Sequence, residues 1–395
     1  MSNVQLTIDM ITSEALRVLH QKCNFVRSIN RQYDEQYGKE GAKIGSELRI
    51  RLPNQFTVRT GAVAAVQGVT ESSTTLTVAT QKGVDMDFGS QELSLSLDKF
   101  SDRYIQPAMS VLAANIENDV ISTVYKQVPS QINNIGAAAT SAKILSARKA
   151  LKDNLCPDEN MKLNWGTQEN IDTVEALKTL FQASERIRGQ YEEGSMGHAF
   201  GFDFYENTLW PRHTSGTNTN ETVVNGANQT GSTLTVTNGS SKTLVVGDIV
   251  TFAGCNRCHP ETKADTGVAM QFVVTATLTS SGTQLSISPA IVTSGATQNV
   301  YASPTTAGAV TKQGATSAVA YNVGMAYHRD AFTFVSADLP LYGDAHMASR
   351  KSFDGFSMRV WQASDIINDR LMTRLDVLYG FKTIRPEWAV RTANN

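Results

Sequence analysis

The stretch Glu47-Leu48-Arg49-Ile50-Arg51-Leu52 alternates charged and apolar side chains without a break. Successive side chains of a β-strand point to opposite faces, so this pattern predicts a strand with one buried face. The same period returns, between glycines, at Phe56 with Val58; Leu76 with Val78; Val84, Met86 and Phe88; and Leu93, Leu95 and Leu97. Residues 47–97 are therefore predicted to be a long, thin β excursion, which would bury little apolar surface alone because an isolated hairpin is marginal in water.

On the C-terminal side of the excursion, the apolar period lengthens to that of a helix over residues 98–127. The residues that carry this period are Phe100, Tyr104, Met109, Leu112, Ile116, Val120 and Val124. Asp98 can cap the start. Pro107 predicts either a kink or a main helix that begins with the proline in its first turn. A continuous helix here would span roughly 45 Å.

On the N-terminal side, residues 1–46 are predicted to form a helical arm followed by a polar connector. Ile8, Ile11, Ala15, Val18 and Leu19 recur near helical spacing, with Thr12 or Ser13 as a possible cap. Residues 30–37 carry little apolar surface to bury. Arm, excursion and long helix expose surface that one subunit cannot bury, which favours a protein stabilised by packing against neighbours.

The remainder of the chain alternates between mixed and β-rich character. Residues 128–215 contain an amphipathic helix at 141–151, a short strand at 161–165 and a helix at 169–180. Residues 216–320 are rich in Thr, Ser, Gly and Asn and nearly free of charge, and their short alternating runs predict a small β-barrel or sandwich inserted into the surrounding domain. The last segment, within 321–395, predicts strands that close a sheet begun much earlier.

Composition narrows the possible functions. The 395 residues carry 35 basic and 37 acidic side chains, a balance that argues against a dedicated nucleic-acid binder but permits weak contact with DNA. The N-terminus lacks a basic region followed by an apolar core, and no apolar run approaches the roughly 20 residues of a membrane helix, so we expect folding in a cytoplasm and no membrane partner. The 4 cysteines are too few for a disulfide scaffold of this size.

The sharpest chemical motif is Cys255-Asn256-Arg257-Cys258-His259, which matches the attachment pattern of c-type haem. The motif lies in a β-rich Ser/Thr segment, no axial partner is singled out, and a zinc site would need a fourth ligand at workable spacing. We therefore favour a turn that happens to carry two thiols, and a metal-binding protein using Cys255, Cys258 and His259 is the alternative.

No catalytic motif stands out. A nucleophile elbow, a P-loop and a dinucleotide fingerprint are absent from the sequence, and His198 and His328 are lone histidines. We expect no enzyme activity, no catalytic residue, no cofactor and no metal. A secreted or surface-layer β-rich structural protein is a further alternative, suggested by the segment 216–320.

Four stretches carry a resemblance to a known family, and they occur in one order along nearly the whole chain. They are Phe100–Ala108; Gly201–Asn207 with Pro211-Arg212; Val246–Gly254 through Pro260–Lys263 to Gln271–Val274 and Ile287–Ile291; and Arg374–Gly380 with Arg385-Pro386-Glu387. On them the chain resembles the major capsid (coat) proteins of tailed bacteriophages. It is most similar to the branch typified by the coat protein of a short-tailed Salmonella phage, which has an inserted β-barrel domain.

The resemblance implies an α+β Hong-Kong-97-type capsid fold. It assigns 1–46 to the N-terminal arm, 47–97 to the extended E-loop, and 98–127 to the spine helix of the peripheral domain. Residues 128–215 and 321–395 then share the axial and peripheral domains, and 216–320 is the inserted all-β domain.

The implied function is that of a major capsid protein that self-assembles, through a procapsid that matures, into an icosahedral head around double-stranded DNA. The implied partners are further copies of the chain in hexamers and pentamers, a scaffolding protein, a portal and packaged DNA contacted non-specifically. The implied location is the virion capsid, assembled in the host bacterial cytoplasm.

Arg49, Arg51, Arg59 and Glu71 are the candidate lattice contacts, because they lie in the excursion that would lock one capsomer to the next. Some relatives crosslink covalently through a lysine and an asparagine. Lys82 is a lysine of the excursion, but the sequence identifies no partner for it.

Overall fold

The computed structural model describes residues 8–31, 47–64, 66–68, 71–89, 101–177, 197–314, 317–341, 347–353, 356–365 and 370–394. Within these ranges the chain combines a few helices with many strands, which confirms the α+β class. The α-helices are α1 (Ile8–Lys22), α2 (Asn24–Ser28), α3 (Gln106–Val124), α4 (Ser141–Asp153) and α5 (Thr167–Leu177). No helix of the described residues is long and apolar enough to cross a membrane.

The strands, in chain order, are β1 (Glu47–Arg51), β2 (Ser73–Thr77), β3 (Thr80–Gly89), β4 (Gln131–Asn133), β5 (Met161–Trp165), β6 (His198–Ala199), β7 (Phe202–Glu206), β8 (Arg212–Thr214), β9 (Val223–Val224), β10 (Gly231–Thr237), β11 (Ile249–Cys258), β12 (Asp265–Val274), β13 (Gln284–Ile291), β14 (Val310–Lys312), β15 (Ala320–His328), β16 (Phe332–Ala337), β17 (Met347–Phe353), β18 (Phe356–Asp365), β19 (Arg370–Thr383) and β20 (Ala389–Asn394). The chain forms two compact units. The first comprises Met1–Ile50, Ser73–Val120 and Phe332–Ile384, and the second comprises Arg51–Ser72, Ile121–Ala331 and Arg385–Asn395.

The first unit contains a five-stranded antiparallel sheet centred on β19. Strands β16, β18 and β3 pair with β19, and β17 pairs with β18. The pairing of β19 with β3 runs from Tyr379 opposite Thr80 to Arg370 opposite Gly89. The C-terminal run therefore does close a sheet begun much earlier, as the sequence predicts.

The long helix of the first unit is interrupted near its start. Residues Ser101–Ile105 form a π-helical turn, α3 begins at Gln106, and Tyr125–Gln127 forms a 3-10 turn after α3. Pro107 has no backbone N–H, and its ring crowds the carbonyl one turn earlier, so a regular α-helix cannot run through it. A helix that begins with the proline in its first turn is thus the correct alternative. The expected cap Asp98 lies outside the described residues.

A buried carboxylate on α3 binds the start of helix α2. Glu117 is 1% exposed, and its carboxylate accepts hydrogen bonds from the backbone N–H groups of Asn24, at 3.0 Å, and Phe25. These are N–H groups at the start of α2, which have no partner inside the helix. The negative charge also suits the positive end of the helix dipole. One acidic residue therefore fastens α2 to α3.

Replacing Glu117 by glutamine is expected to lower the free energy of unfolding by about 1–3 kcal/mol, because each carboxylate oxygen accepts one buried N–H group and the NH2 group of glutamine would face one of these donors. Glu14→Gln is the matched control. Glu14 pairs with Arg17 on the surface of α1, and such pairs contribute roughly 0.2–0.5 kcal/mol. Chemical denaturation of the unassembled chain measures both variants, and equal losses would contradict the role given to Glu117.

The second unit contains a seven-stranded mixed sheet in the order β4-β20-β15-β5-β7-β6, with β8 also paired to β15. The pairs β4/β20 and β5/β7 are parallel, and the other pairs are antiparallel. Helix α4 packs on one face of this sheet. Its buried residues Ile144, Ala147 and Leu151 join a core with Trp165 and Val390.

The second unit also contains six strands, β9 to β14, that pair in the order β14-β11-β12-β13-β10-β9. The two ends of this sheet meet. The N–H of Val224 donates to the carbonyl of Gly308 at 2.9 Å, and the N–H of Val310 donates to the carbonyl of Thr222 at 2.9 Å. The six strands thereby close into a barrel whose core includes Phe252 and Phe272, with ring centroids 5.3 Å apart.

A buried polar cluster centred on Asp248 lies where the barrel meets the mixed sheet. Its carboxylate accepts hydrogen bonds from Nε2 of His213 at 3.0 Å and from the N–H groups of Gly216, at 3.0 Å, and Val245, at 2.9 Å. Asp248 is 1% exposed.

Two buried cations complete the cluster. Nζ of Lys312 donates to the hydroxyl of Ser215 at 2.9 Å and to the carbonyl of Gly216 at 2.6 Å. The guanidinium of Arg391, which is fully buried, donates to the carbonyl of Gly247 at 2.8 Å. Burial lowers the pKa of both Lys312 and Arg391, and the negative charge of Asp248 opposes that shift. The cluster therefore ties β8, β14 and β20 to the chain entering β11.

Candidate subunit-contact surface

The predicted excursion has a buried base. Strands β1 and β2 form a two-stranded sheet. Ile50 and Leu76 are buried there, in an apolar cluster whose other buried members are Val78, Val335, Ala337, Leu339 and Leu378. The base is therefore part of a packed core, and the residues that follow Arg51 lie beyond it in sequence.

The residues between β1 and β2 are almost entirely exposed. We call the described residues of 52–72 the exposed segment. Its large apolar side chains are uncovered: Phe56 is 61% exposed, Val58 95%, Val63 86% and Val66 95%. Fully burying such a side chain stabilises a fold or an interface by roughly 1.5–3 kcal/mol. The single chain does not obtain this gain, because these side chains are exposed.

Polar contacts give the exposed segment a defined shape. The N–H of Thr57 donates to the side-chain carbonyl of Gln67 at 2.9 Å, and the side-chain amide of Gln67 donates back to the carbonyl of Thr57 at 2.5 Å. This reciprocal pair joins the outgoing and returning stretches. A segment held this way presents Phe56 and Val58 at lower entropic cost than a free loop would.

The four candidate contact residues fall into two places. Arg51 and Glu71 form an ion pair at 3.2 Å with side chains 74% and 54% exposed, and Arg49 lies nearby in the chain, where its Nε donates to the hydroxyl of Ser73 at 2.7 Å. Arg59 instead donates to the carbonyl groups of Gly61 and, at 3.2 Å, Val63. Exposed ion pairs contribute at most about 1 kcal/mol, so these side chains add little to the fold. Their role as lattice contacts stays a prediction.

The apolar residues of the exposed segment are further candidate contacts. The alternating pattern in the sequence includes Phe56 and Val58 but not Val63 and Val66. The signal was available in the sequence, since apolar residues recur in a stretch without an obvious partner strand. Exposed apolar side chains grouped in one segment are a stronger mark of an interface than exposed charges.

Lys82 is engaged within the first unit. Its Nζ donates to the carbonyl of Asn115 at 3.2 Å and lies 3.5 Å from the carboxylate of Asp119. The hydroxyl of Tyr379 donates to the same carboxylate at 2.6 Å. These contacts place Lys82 beside α3, and covalent crosslinking through it stays a prediction.

The Cys-x-x-Cys-His motif lies at the end of β11, so the prediction of a turn is wrong for the two thiols, which are both on the strand. Cys255 and Cys258 are buried free thiols, and Cys255 belongs to the barrel core. Nδ1 of His259 accepts the N–H groups of Glu261, at 3.3 Å, and Thr262, at 3.2 Å, and so shapes the turn after the strand. Across the part of the chain that the structure describes, no three His, Cys, Asp or Glu side chains are grouped as metal ligands.

The thiols are expected to resist alkylation in the folded chain. Burial raises the pKa of Cys255 and of Cys156 to about 12 and also raises the pKa of Cys23 and Cys258. At pH 8 a thiol of pKa 12 is a thiolate only about once in 10⁴ molecules, and the thiolate is the reactive form. Iodoacetamide labelling followed by mass spectrometry should find no modified cysteine before denaturation and 4 afterwards. Rapid labelling of Cys255 in the native chain would contradict its place in the core.

Comparison with known protein families gives a match over nearly the whole chain. The family model described as "P22 coat protein - gene protein 5" matches residues 2–391. No curated protein matches the chain.

Solved structures show weaker likenesses. A structure from Mycobacterium phage Che8 is 10% identical, with 92% of this chain and 89% of that chain covered and a TM-score of 0.44. The capsid of Ralstonia phage GP4 is 6% identical, with 93% and 87% covered and a TM-score of 0.45. A virus-like particle from Pyrococcus furiosus is 9% identical, with 97% and 98% covered and a TM-score of 0.41. Because these TM-scores lie below 0.5, the family match carries the argument.

Proposed function

Because the chain belongs to the P22 coat protein family, we propose that its exposed segment joins neighbouring copies of the chain in the phage head. Membership of this family makes the chain a major capsid protein, a structural protein that forms the icosahedral head. The resemblance seen in the sequence is thereby confirmed. In the proposal, the segment is the contact part of the E-loop, and the chain performs no catalysis.

The observation that supports this proposal is the exposure of the large apolar side chains of Phe56, Val58, Val63 and Val66. A soluble monomer gains nothing from such a segment, whereas a shell buries it at every subunit contact. Arg49, Arg51, Arg59 and Glu71 would then lie at the rim of the same contact, where charged side chains fix orientation more than they add affinity.

We also infer the finer division of labour implied by the family. Residues 1–46 serve as the N-terminal arm, 98–127 as the spine helix, and 128–215 with 321–395 as the axial and peripheral domains. Hexamers and pentamers assemble in the host cytoplasm around a scaffolding protein and a portal, and the mature head contacts packaged DNA non-specifically. The near balance of 35 basic and 37 acidic residues fits contact of that weak kind.

The barrel of β9 to β14 fits the inserted all-β domain proposed for 216–320. The strands that precede and follow it, β8 and β15, are hydrogen-bonded neighbours, with Thr214 opposite Ala320 and Arg212 opposite Asn322. The chain therefore leaves and re-enters the mixed sheet at one place, as an insertion requires.

Expression of the full chain in bacteria, with and without scaffolding and portal proteins, tests the proposal. Sedimentation and negative-stain electron microscopy should find closed shells, tubes or capsomer spirals. A small monomer that persists with its partners present would overturn it. The rival surface-layer protein would instead form open two-dimensional arrays without either partner.

A further inference from the structure

Among the described residues, strand β3 lies at an edge of its sheet. It pairs with β19, and no other strand within the described ranges pairs with it. Such an edge presents a row of backbone N–H and C=O groups to which another strand can add. On one face of β3 the exposed residues include Asp85 and Asp87, and on the other face Val84 and Met86 are half-buried.

The exposed segment can match this alternation, with Arg59 as its basic residue. In an extended conformation Phe56 and Val58 would lie on one face, and Thr57 and Arg59 would lie on the other. Residues directly opposite each other in paired strands point to the same face of the sheet. Pairing the two strands with Arg59 opposite Asp85 therefore brings the basic face beside the acidic face and the apolar face beside the apolar face.

Resting on the proposed function, we propose that residues 55–60 of one copy add as an antiparallel strand to the edge of β3 in a second copy. Arg59 then lies opposite Asp85, and Val58 lies opposite Met86. With Arg59 opposite Asp85, a parallel pairing would set the apolar Phe56 opposite the charged Lys82. The antiparallel direction avoids this mismatch. Asp85 is available for such a pair, because its side chain is 76% exposed and its present partner Arg374 is 3.8 Å away.

The opposite charges of Arg59 and Asp85 favour a second copy of this chain as the partner at the edge of β3. Phe56 and Val58 are 61% and 95% exposed in the single chain, so its own described residues do not cover them. In a shell every copy offers one such segment and one such edge, so head-to-tail pairing between neighbouring copies satisfies both.

Paired cysteines test the register in assembled shells. In the variant Arg59→Cys/Asp85→Cys, opposite residues of neighbouring copies fall within the Cα separation that a disulfide accepts, which is roughly 4.4–6.8 Å. The control Arg59→Cys/Gln81→Cys moves the second thiol four residues along the same exposed face, about 13 Å away. Mild oxidation of assembled shells should give a ladder of linked chains on a non-reducing gel for the first variant only.

The outcomes separate this inference from the proposed function. Intact shells without a ladder in the first variant would overturn the pairing with β3 and leave the capsid role untouched. A ladder in the control alone would overturn the register. If the cysteine variants form no shells, charge exchange decides. Arg59→Asp should reduce shell yield at least tenfold and Arg59→Asp/Asp85→Arg should restore it, whereas failure to restore would overturn the pairing.

Discussion

Replacing Asp248 by asparagine is expected to lower the free energy of unfolding by about 3–5 kcal/mol, the range found when one partner of a buried charge group is removed. The carboxylate accepts three hydrogen bonds, from His213, Gly216 and Val245. Its charge also opposes the desolvation of Lys312 and Arg391. An asparagine can keep some of the hydrogen bonds but has no negative charge to offset the burial of Lys312. The pKa of Lys312 should therefore fall further.

Thermal and chemical unfolding of the unassembled chain would measure the loss. Glu261→Gln is the matched control, because Glu261 is an exposed acidic residue of the same barrel. If Asp248→Asn fails to accumulate as folded protein, His213→Phe offers a milder change that removes one of the three hydrogen-bond donors to the carboxylate. Near-native stability of Asp248→Asn would show that the cluster does not hold the barrel to the sheet.

Replacing both Phe56 and Val58 by serine is expected to abolish shell formation while leaving the stability of the unassembled chain within about 0.5 kcal/mol. The two side chains are mostly exposed in the single chain, so the fold loses little. If each copy buries both at a neighbour, every contact loses about 3–5 kcal/mol. That corresponds to roughly a 10²- to 10⁴-fold rise in the concentration needed for assembly.

Light scattering during assembly with scaffolding protein, followed by electron microscopy, would measure this effect. Val268→Ser is the control, because Val268 is also an exposed valine, 50% exposed, but lies on the barrel. Normal shells from the Phe56/Val58 variant would remove the exposed segment from the lattice contacts. Loss of assembly in both variants would point to a general effect of exposed apolar residues.

Local periodicity was enough to predict much of the architecture. The alternation at 47–52 and 84–88 predicts strands β1 and β3, and the Ser/Thr-rich composition of residues 216–320 predicts several short strands there. The family resemblance, confirmed by the match over residues 2–391, supplied the function. Periodicity is a local signal, whereas the family match extends over nearly the whole chain.

Features made by distant residues could not be predicted in this way. Glu117 and Phe25 are 92 positions apart, and Lys312 and Ser215 are 97 apart, so no sequence period links them. The π-helical turn before Pro107 is a compromise between a proline and the packing of the helix after it, which spacing alone does not reveal. The apolar residues Phe56 and Val58 of the exposed segment follow an alternating pattern, but only their exposure distinguishes them from core residues.

The neighbouring positions of β8 and β15 bear on how this coat protein can be altered. Because the chain departs from and rejoins the mixed sheet on adjacent, hydrogen-bonded strands, the polypeptide between them can change length or content while β8 and β15 stay paired. Changes that keep Asp248 and its partners His213 and Gly216 would preserve the buried contacts that hold the barrel to the sheet. For the same reason, a foreign domain whose own termini lie close together could be grafted there for display on particles.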